Sequence, residues 1–162
     1  MWLFKRLSIL LTVAALTGCG FTPALTPDEN AAALPGRIEI MAPSDRNEFD
    51  ITRRLEERLG QPTDIRWTLT YALKLSRESV GITPDLITTR HNIHGQLTYE
   101  LVDLESDDTV ITGKIENFTS YAATGTTVAT LTAERAANRR LMFILADQVY
   151  ARLLLASDQI NP

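Results

Sequence analysis

The spacing of apolar residues in the middle of the chain predicts a long β-strand. From residue 65 to residue 76 every odd position is apolar, and every even position is polar or small. The apolar positions are Ile65, Trp67, Leu69, Tyr71, Leu73 and Leu75. This period of two is typical of a strand with one buried face. The strand is also longer than the usual five or six residues.

Three more strands are predicted around it. A short one precedes it, where Ile38 and Ile40 alternate with polar residues and Pro43 ends the pattern. A second long strand starts near residue 87, and a polar turn at residues 106–108 separates it from a third, at about 110–121. The in-phase apolar residues are Ile93, Leu97, Tyr99 and Leu101 in the former strand, and Ile111, Ile115 and Tyr121 in the latter. Gly113 and Asn117 interrupt the last pattern and leave its register open.

Two segments have the four-residue apolar spacing of helices. Residues 47–59 carry Ile51, Leu55 and Leu59 on one face, with N-cap candidates at 44–47 and a stop signal at Gly60 and Pro62. The final helix is expected to be capped by Thr130 or Thr132, with Glu134 in its first turn, and to end near Ala156. Its apolar stripe comprises Ala137, Leu141, Leu145, Val149 and Leu153, and we expect Arg135, Arg139, Asp147 and Arg152 on its opposite side.

The resulting order is β-α-β-β-β-α. Three long strands with one apolar face and two helices with one apolar stripe predict an α+β, two-layer sandwich. Its sheet is mostly antiparallel, with two helices packed on one face. The other sheet face is rich in hydroxyl groups and partly charged, which an antiparallel sheet tolerates in contact with water.

The N-terminal segment predicts export and lipid attachment. Lys5 and Arg6 precede an apolar run at residues 7–16, which is too short to span a bilayer. Leu16-Thr17-Gly18-Cys19 then looks like a bacterial lipobox, in which the chain is cut before the cysteine and the cysteine carries lipid. The alternative is an ordinary signal peptide with a chance cysteine. Because Cys19 is the only cysteine, an internal disulfide is excluded, and we interpret Cys19 as a membrane anchor.

These segments define the expected domain organisation. Residues 1–18 form the signal peptide. Residues 19–36 comprise the lipidated cysteine and a tether that contains three prolines and ends in Gly36. Residues 37–156 form a single domain, and residues 157–162 form a flexible tail. Gly20 stands where an aspartate would signal inner-membrane retention in many lipoproteins, which favours the outer membrane.

Charge and candidate chemistry argue against several functions. The formal net charge is −4, which disfavours nucleic acid as a partner. His91 and His94 are three residues apart on a predicted strand, so they should lie on opposite faces and bind no common metal. The carboxylates at 103, 105, 107 and 108 fall on a turn without EF-hand spacing, and solvated turn residues are preferred over a calcium site. Neither a nucleophile elbow nor a glycine-rich phosphate loop occurs, so we expect no enzyme and no cofactor.

A few basic residues are candidates for binding. Arg66 and Lys74 lie on the polar face of the first long strand, with Arg77 just beyond, and Arg90 begins the same series on the next strand. Their cationic groups are suited to an anionic glycolipid or to acidic loops of a partner. The alternative is that these residues only make the sheet face soluble.

Three stretches resemble the LptE family of lipopolysaccharide-assembly lipoproteins. The start Cys19-Gly20-Phe21-Thr22-Pro23 is similar to the mature start of family members. The strand from Tyr71 to Gly81 and the run of residues 121–136 into the last helix are similar as well. Ala24-Leu25 departs from the Leu-Tyr that is frequent in the family, which puts the docking of that stretch in doubt.

The resemblance implies an outer-membrane lipoprotein on the periplasmic side that sits largely inside an LptD-type β-barrel. It would plug the barrel, assist its assembly and contact lipopolysaccharide through basic residues, for which Arg66, Lys74 and Arg90 are our candidates. The alternative is a lipid-anchored periplasmic adaptor that binds another envelope protein. Co-purification with a large outer-membrane barrel would distinguish the two.

Overall fold

The computed structural model describes residues 34–82, 88–157 and 160. The predicted signal peptide, Cys19 and most of the tether lie outside the described residues. The elements follow the predicted order: β1 (Ile38–Ile40), α1 (Arg46–Leu59), β2 (Trp67–Ile82), β3 (Thr88–Asp103), β4 (Thr109–Ala122) and α2 (Thr127–Leu155).

The strands form one sheet in the order β1-β2-β3-β4. β1 runs parallel to β2, with Ile38 opposite Trp67, because α1 carries the chain back between them. The β2–β3 and β3–β4 pairs are antiparallel hairpins. The predicted α+β class with a mostly antiparallel sheet is therefore confirmed.

Both helices pack on the sheet face formed by the odd-numbered residues of β2 and β3. Trp67, Leu69 and Leu97 are almost fully buried there. Gly95 lies so close to α2 that a Cβ on it would be 2.9 Å from a methyl group of Leu145. The even-numbered side chains of β2 from residue 68 to 80, of β3 from residue 90 to 102 and of β4 from residue 112 to 122 form the opposite, helix-free face. We call it the open face.

The buried face of β2 does not extend over the whole predicted run. The strand starts at Trp67, and Ile65 is 45% exposed in the preceding loop. Leu75 is 39% exposed because α1 covers β2 only as far as Tyr71, whose hydroxyl lies 2.8 Å from Thr52 Oγ1 of α1. The prediction that Ile65 belongs to the strand was wrong. Ile65 continues the alternation of apolar residues in the sequence, but its backbone pairs with no neighbouring strand.

The register of β4 is now defined. Its odd residues face the helices, and Ile111, Ile115 and Tyr121 are buried in phase, as predicted. Gly113 also occupies a helix-facing position of β4. It lies opposite Tyr99, whose ring fills the space that a side chain at position 113 would occupy. A shift in pairing between Leu101 and Val102 adjusts the ladder just before the β3–β4 turn.

The start of α1 agrees with the predicted capping region. The carboxylate of Asp45 accepts a hydrogen bond from Glu48 N at 2.8 Å, and Glu48 accepts one in return from Ser44 N at 2.7 Å. Gly60 follows the helix with φ of 79°, a left-handed conformation that glycine adopts without strain.

The predicted start of α2 was wrong. The cap is Thr126, whose hydroxyl accepts from Ala129 N at 3.3 Å, and the helix begins at Thr127. Thr130 and Thr132 lie within the helix, and Glu134 comes after its first turn. The first turns escaped prediction because their apolar side chains, Val128 and Leu131, are exposed.

Asp147, predicted on the side of α2 opposite its apolar stripe, lies against α1. It accepts hydrogen bonds from Arg54 Nε and Arg58 Nε of α1, both at 3.0 Å. Burial raises the pKa of this carboxyl group, but the hydrogen bonds from the two arginines outweigh it, and the net pKa is below the usual range. Asp147 thus joins the two helices by charged hydrogen bonds.

Candidate functional site

The long strands give the domain two ends. The proximal end contains the first described residue, Leu34, together with the β3–β4 turn and the C-terminus of α2. The distal end contains the last residues of β2, the first residues of β3 and the N-terminus of α2. Ladder pairing from Trp67 to Ile82 separates the ends by about 50 Å, at roughly 3.3 Å per residue.

Arg66 lies at the proximal end and is held by structural contacts. Its Nε is 3.3 Å from Asp103 Oδ2, and its guanidinium lies 5.0 Å from the Trp67 ring centre. Asp103 also accepts a hydrogen bond from Glu105 N at 2.8 Å. This backbone hydrogen bond, with that from Ser106 N and the charge of Arg66, lowers the pKa of Asp103. Arg66 therefore stabilises the proximal turn.

Lys74 and Arg90 lie on the open face, as predicted. Lys74 is opposite Gln96, near the middle of the sheet, and Arg90 is opposite Val80, at the distal end. Both side chains are exposed, and neither forms an ion pair with any carboxylate in the described part of the chain.

The three predicted candidates do not come together in one place. Eight residue steps along β2, roughly 26 Å, separate Arg66 from Lys74, and six more, roughly 20 Å, lead to the level of Arg90. Any ligand that contacts Arg90 directly would have to be very long to reach Arg66.

At the distal end, Arg90 lies on the open face, and two further arginines, Arg77 and Arg140, lie on the helix side. Arg77 lies 3.3 Å from Glu134 and donates to the Tyr121 hydroxyl at 3.5 Å, and this hydrogen bond raises its pKa. Arg140 donates to Ser120 O at 3.3 Å, at the edge of β4. Arg77 was expected just beyond the polar-face cations, but its odd position places it on the helix side, and Arg140 was missed because α2 is distant in sequence from β2.

Exposed apolar side chains accompany these cations. Val128 is 74% exposed and Leu131 is 47% exposed, both in the first turns of α2. Arg77, Arg140 and exposed apolar groups thus share the helix side of the distal end, where a molecule with anionic and apolar parts would find partners for both, while Arg90 lies on the opposite face.

The proximal end carries several carboxylates, and Arg37 and Arg66 lie there as well, paired with Asp64 and Asp103. The β3–β4 turn carries Glu105, Asp107 and Asp108, and Asp64 lies in the loop before β2. Among residues 34–82, 88–157 and 160, no group of three histidine, cysteine or acidic side chains is arranged to hold a metal ion.

The two histidines lie on opposite sheet faces, as predicted. His91 is on the helix side, with its ring centre 5.2 Å from that of Tyr121 and its Nδ1 3.2 Å from Ser79 Oγ. His94 is on the open face, where it stacks on Phe118 at 5.6 Å between ring centres.

Phe118 was not singled out from the sequence. It is 57% exposed and occupies an even position of β4, out of phase with the buried residues of that strand. Its apolar character at a polar position was the available signal.

No helix in the described ranges has an apolar stretch long enough to cross a membrane.

These features define the class of protein. The chain has a small α+β domain of two helices on an open four-stranded sheet, whose surface carries clustered cations and aromatic groups.

The comparisons then identify the family. The model of the family described as LptE, lipopolysaccharide-assembly, matches residues 36–153, and the chain belongs to this family. The search of curated proteins finds no significant match.

Solved structures share the fold at low sequence identity. A Caulobacter crescentus protein described as a lipoprotein superposes with a TM-score of 0.62 at 17% identity, covering 77% of this chain and 93% of that one. Rare lipoprotein B from Shewanella oneidensis gives a TM-score of 0.58 at 15% identity, covering 77% and 96%. A minor lipoprotein from Acinetobacter baumannii gives 0.56 at 15% identity, covering 74% and 89%.

Proposed function

We propose that the chain is an outer-membrane lipoprotein, anchored through Cys19, that binds and plugs an LptD-type β-barrel and assists lipopolysaccharide assembly at the cell surface. The observation that carries this proposal is the family match over residues 36–153. The lipobox-like sequence that ends in Cys19 supports the anchor, and Gly20 supports the outer membrane as the destination.

The open face supports a location inside an aqueous barrel. Its side chains are mostly hydroxyl, amide and charged groups, among them Thr70, Asn92, Thr98 and Thr112. Such a surface forms hydrogen bonds to a partner directly or through water, and loses little when part of it stays wet. The domain acts in this proposal by binding, without catalysis.

Lipopolysaccharide is an amphiphile with anionic groups near its acyl chains, and the distal end offers matching groups. Arg77 supplies a cation on the helix side, where Val128 and Leu131 supply exposed apolar surface, and Arg90 supplies a cation on the open face. We therefore include Arg90 among the lipopolysaccharide contacts, with Lys74 further along the open face. Arg66, the third candidate, would take part only if its bond to Asp103 opened.

A charge reversal tests these contacts. Arg90→Glu combined with Lys74→Glu should weaken lipopolysaccharide binding to the purified full chain several-fold, since two attractive charges become repulsive. Arg53→Glu is the control, because Arg53 is exposed on α1 and pairs only with Glu57, at 3.2 Å. Equal lipopolysaccharide binding by both variants and the unaltered chain would remove Lys74 and Arg90 from the proposal.

Depletion tests the role in assembly. Cells that lack the chain should accumulate misassembled barrel and become permeable to hydrophobic antibiotics. A depleted strain with a correctly assembled barrel and normal surface lipopolysaccharide would contradict the proposal and favour the periplasmic adaptor.

A further inference from the structure

The middle of the open face contains a shallow cavity of about 550 Å³, lined in part by Lys74, one of the proposed lipopolysaccharide contacts. It lies over two adjacent cross-strand rows of the sheet. One row is Ser76, His94 and Phe118, and the other is Lys74, Gln96 and Glu116. The rows are roughly 7 Å apart along the strands, and each spans roughly 10 Å across three strands. The volume is within the range of small-ligand sites, roughly 300–1,000 Å³.

Phe118 gives the cavity an aromatic wall in a polar surrounding. Of the large apolar side chains that are exposed in the described ranges, it is the only one on the open face. The imidazole of His94 stacks against it at 5.6 Å, and His94 Nε2 is in turn 3.3 Å from Glu78 Oε2. The ring is therefore supported by a neighbour that is itself held in place, which reduces the entropy that a ligand would have to remove.

The second row supplies oriented hydrogen-bonding groups. Gln96 Nε2 donates to Glu116 Oε1 at 2.8 Å, and Lys114 Nζ is 2.7 Å from the same oxygen. These two contacts, the one from Lys114 being the stronger, lower the pKa of Glu116. The carboxylate is thus ionised at neutral pH and accepts hydrogen bonds from hydroxyl groups. The ammonium group of Lys74 adds a donor on the other side of the row.

An exposed aromatic ring beside a row of planar polar groups matches the chemistry of a sugar. A pyranose has an apolar face of C–H groups, which packs on an aromatic ring, and a rim of hydroxyl groups, which pairs with carboxylate, amide and ammonium groups. A purely apolar ligand would offer Lys74 and Glu116 no hydrogen bond beyond those that Glu116 already accepts from Gln96 and Lys114, and a simple anion would make no use of Phe118.

We propose that this cavity is a saccharide-binding site that takes one or more sugar rings of an oligosaccharide, with Phe118 as the stacking platform and Glu116, Gln96 and Lys74 as hydroxyl partners. It rests on the proposed function for the source of the sugar, which is the oligosaccharide part of lipopolysaccharide. The site lies roughly 20 Å along the strands from the level of Arg90, and it shares Lys74 with the proposed lipopolysaccharide contacts.

Calorimetric titration of the purified full chain tests the site. The probe is core oligosaccharide that has been freed of lipid A by mild acid and then dephosphorylated, so that neither acyl chains nor phosphate contributes. The unaltered chain should bind it, and Phe118→Ala should weaken binding about tenfold or more, because a central aromatic contact is removed. Phe118→Tyr keeps the ring and should restore binding.

Phe49→Ala is the matched control. Phe49 lies on α1 and is 54% exposed, nearly the same fraction as Phe118. The Phe49→Ala variant should therefore bind the oligosaccharide as well as the unaltered chain does. Because both phenylalanines are exposed, neither truncation should lower the melting temperature appreciably. Absence of oligosaccharide binding by the unaltered chain, or equal weakening in both variants, would overturn the proposal.

The outcome separates this inference from the proposed function. A chain that co-purifies with the barrel but does not bind the oligosaccharide would overturn the saccharide site and leave the barrel partnership intact. If Phe118→Ala abolished barrel association while oligosaccharide binding was unchanged, the cavity would be a protein contact and the saccharide site would again be overturned. Oligosaccharide binding without barrel association would support the site and contradict the proposed function.

Discussion

The contact between Gly113 and Tyr99 offers a quantitative test of how the sheet is packed. The two residues are directly opposite each other in β4 and β3, and Tyr99 is only 3% exposed. A Cβ at position 113 would be 2.5 Å from the Tyr99 hydroxyl oxygen and 2.6 Å from Cζ. Either the buried ring or the strand would have to move.

The expected cost follows from two opposing effects. Overpacking of a buried site costs about 1–3 kcal/mol. Alanine is, however, less costly to order than glycine within a strand, by about 0.5–1 kcal/mol. Gly113→Ala should therefore lower the free energy of unfolding by roughly 0.5–2 kcal/mol in the unaltered chain.

A double-mutant cycle isolates the contact. Tyr99→Leu removes the hydroxyl and ring atoms nearest to the added Cβ, so Gly113→Ala should be neutral or stabilising in that background. Urea unfolding followed by circular dichroism gives the four free energies, and Thr112→Ala on the open face is the control for a change without a buried contact. An equal cost of Gly113→Ala in both backgrounds would refute this packing.

Three further predictions test other parts of the account. Leu69→Ala should lower the free energy of unfolding by roughly 2–5 kcal/mol, and Thr68→Ala should change it by less than about 0.5 kcal/mol; coincident urea midpoints would mean that the strand faces are inverted. The folded-state pKa of Asp147 is lowered, so the stabilisation by its carboxylate is present above the unfolded-state pKa and is lost as the pH falls through the folded-state pKa. The melting temperature of Asp147→Asn should therefore decline less steeply in acid than that of the unaltered chain. An equally steep decline in both would contradict the role of the contact with Arg54. Cys19→Ala should yield unprocessed or soluble chain, whereas unchanged mass and unchanged membrane fractionation would exclude Cys19 as the lipid attachment site.

The sheet could be predicted from the sequence because strand alternation is a local property. Successive side chains of a strand point to opposite faces, so Leu69 and Leu97 at odd positions are buried, and Thr70 and Thr98 at even positions are on the open face. The alternation does not predict where strand pairing and helix packing end. Ile65 continues the alternation but lies before the paired part of β2, and Leu75 lies beyond the part of β2 that α1 covers, so both are exposed. Neither limit is contained in the spacing of apolar residues.

The surface features could be predicted less well, because they depend on contacts distant in sequence. Arg66 has the same charge as Lys74, but its pairing with Asp103 becomes evident only once β2 and β3 are side by side. Likewise, Asp147 looks like a solvent-facing residue of α2 until α1 brings its arginines against it. Phe118 carried a local signal, as an apolar residue at a polar position of β4.

The central claim is that this lipoprotein works as the bound partner of an outer-membrane barrel. It is tested most directly by purifying the tagged full chain from detergent-solubilised outer membranes and measuring the stoichiometry of any co-purified barrel. The account predicts a stable one-to-one complex with an LptD-type barrel that survives charge reversal of Lys74 and Arg90, because a large interface does not depend on a few peripheral charges. Recovery of the chain without a barrel, or with a soluble periplasmic protein in its place, would contradict the account.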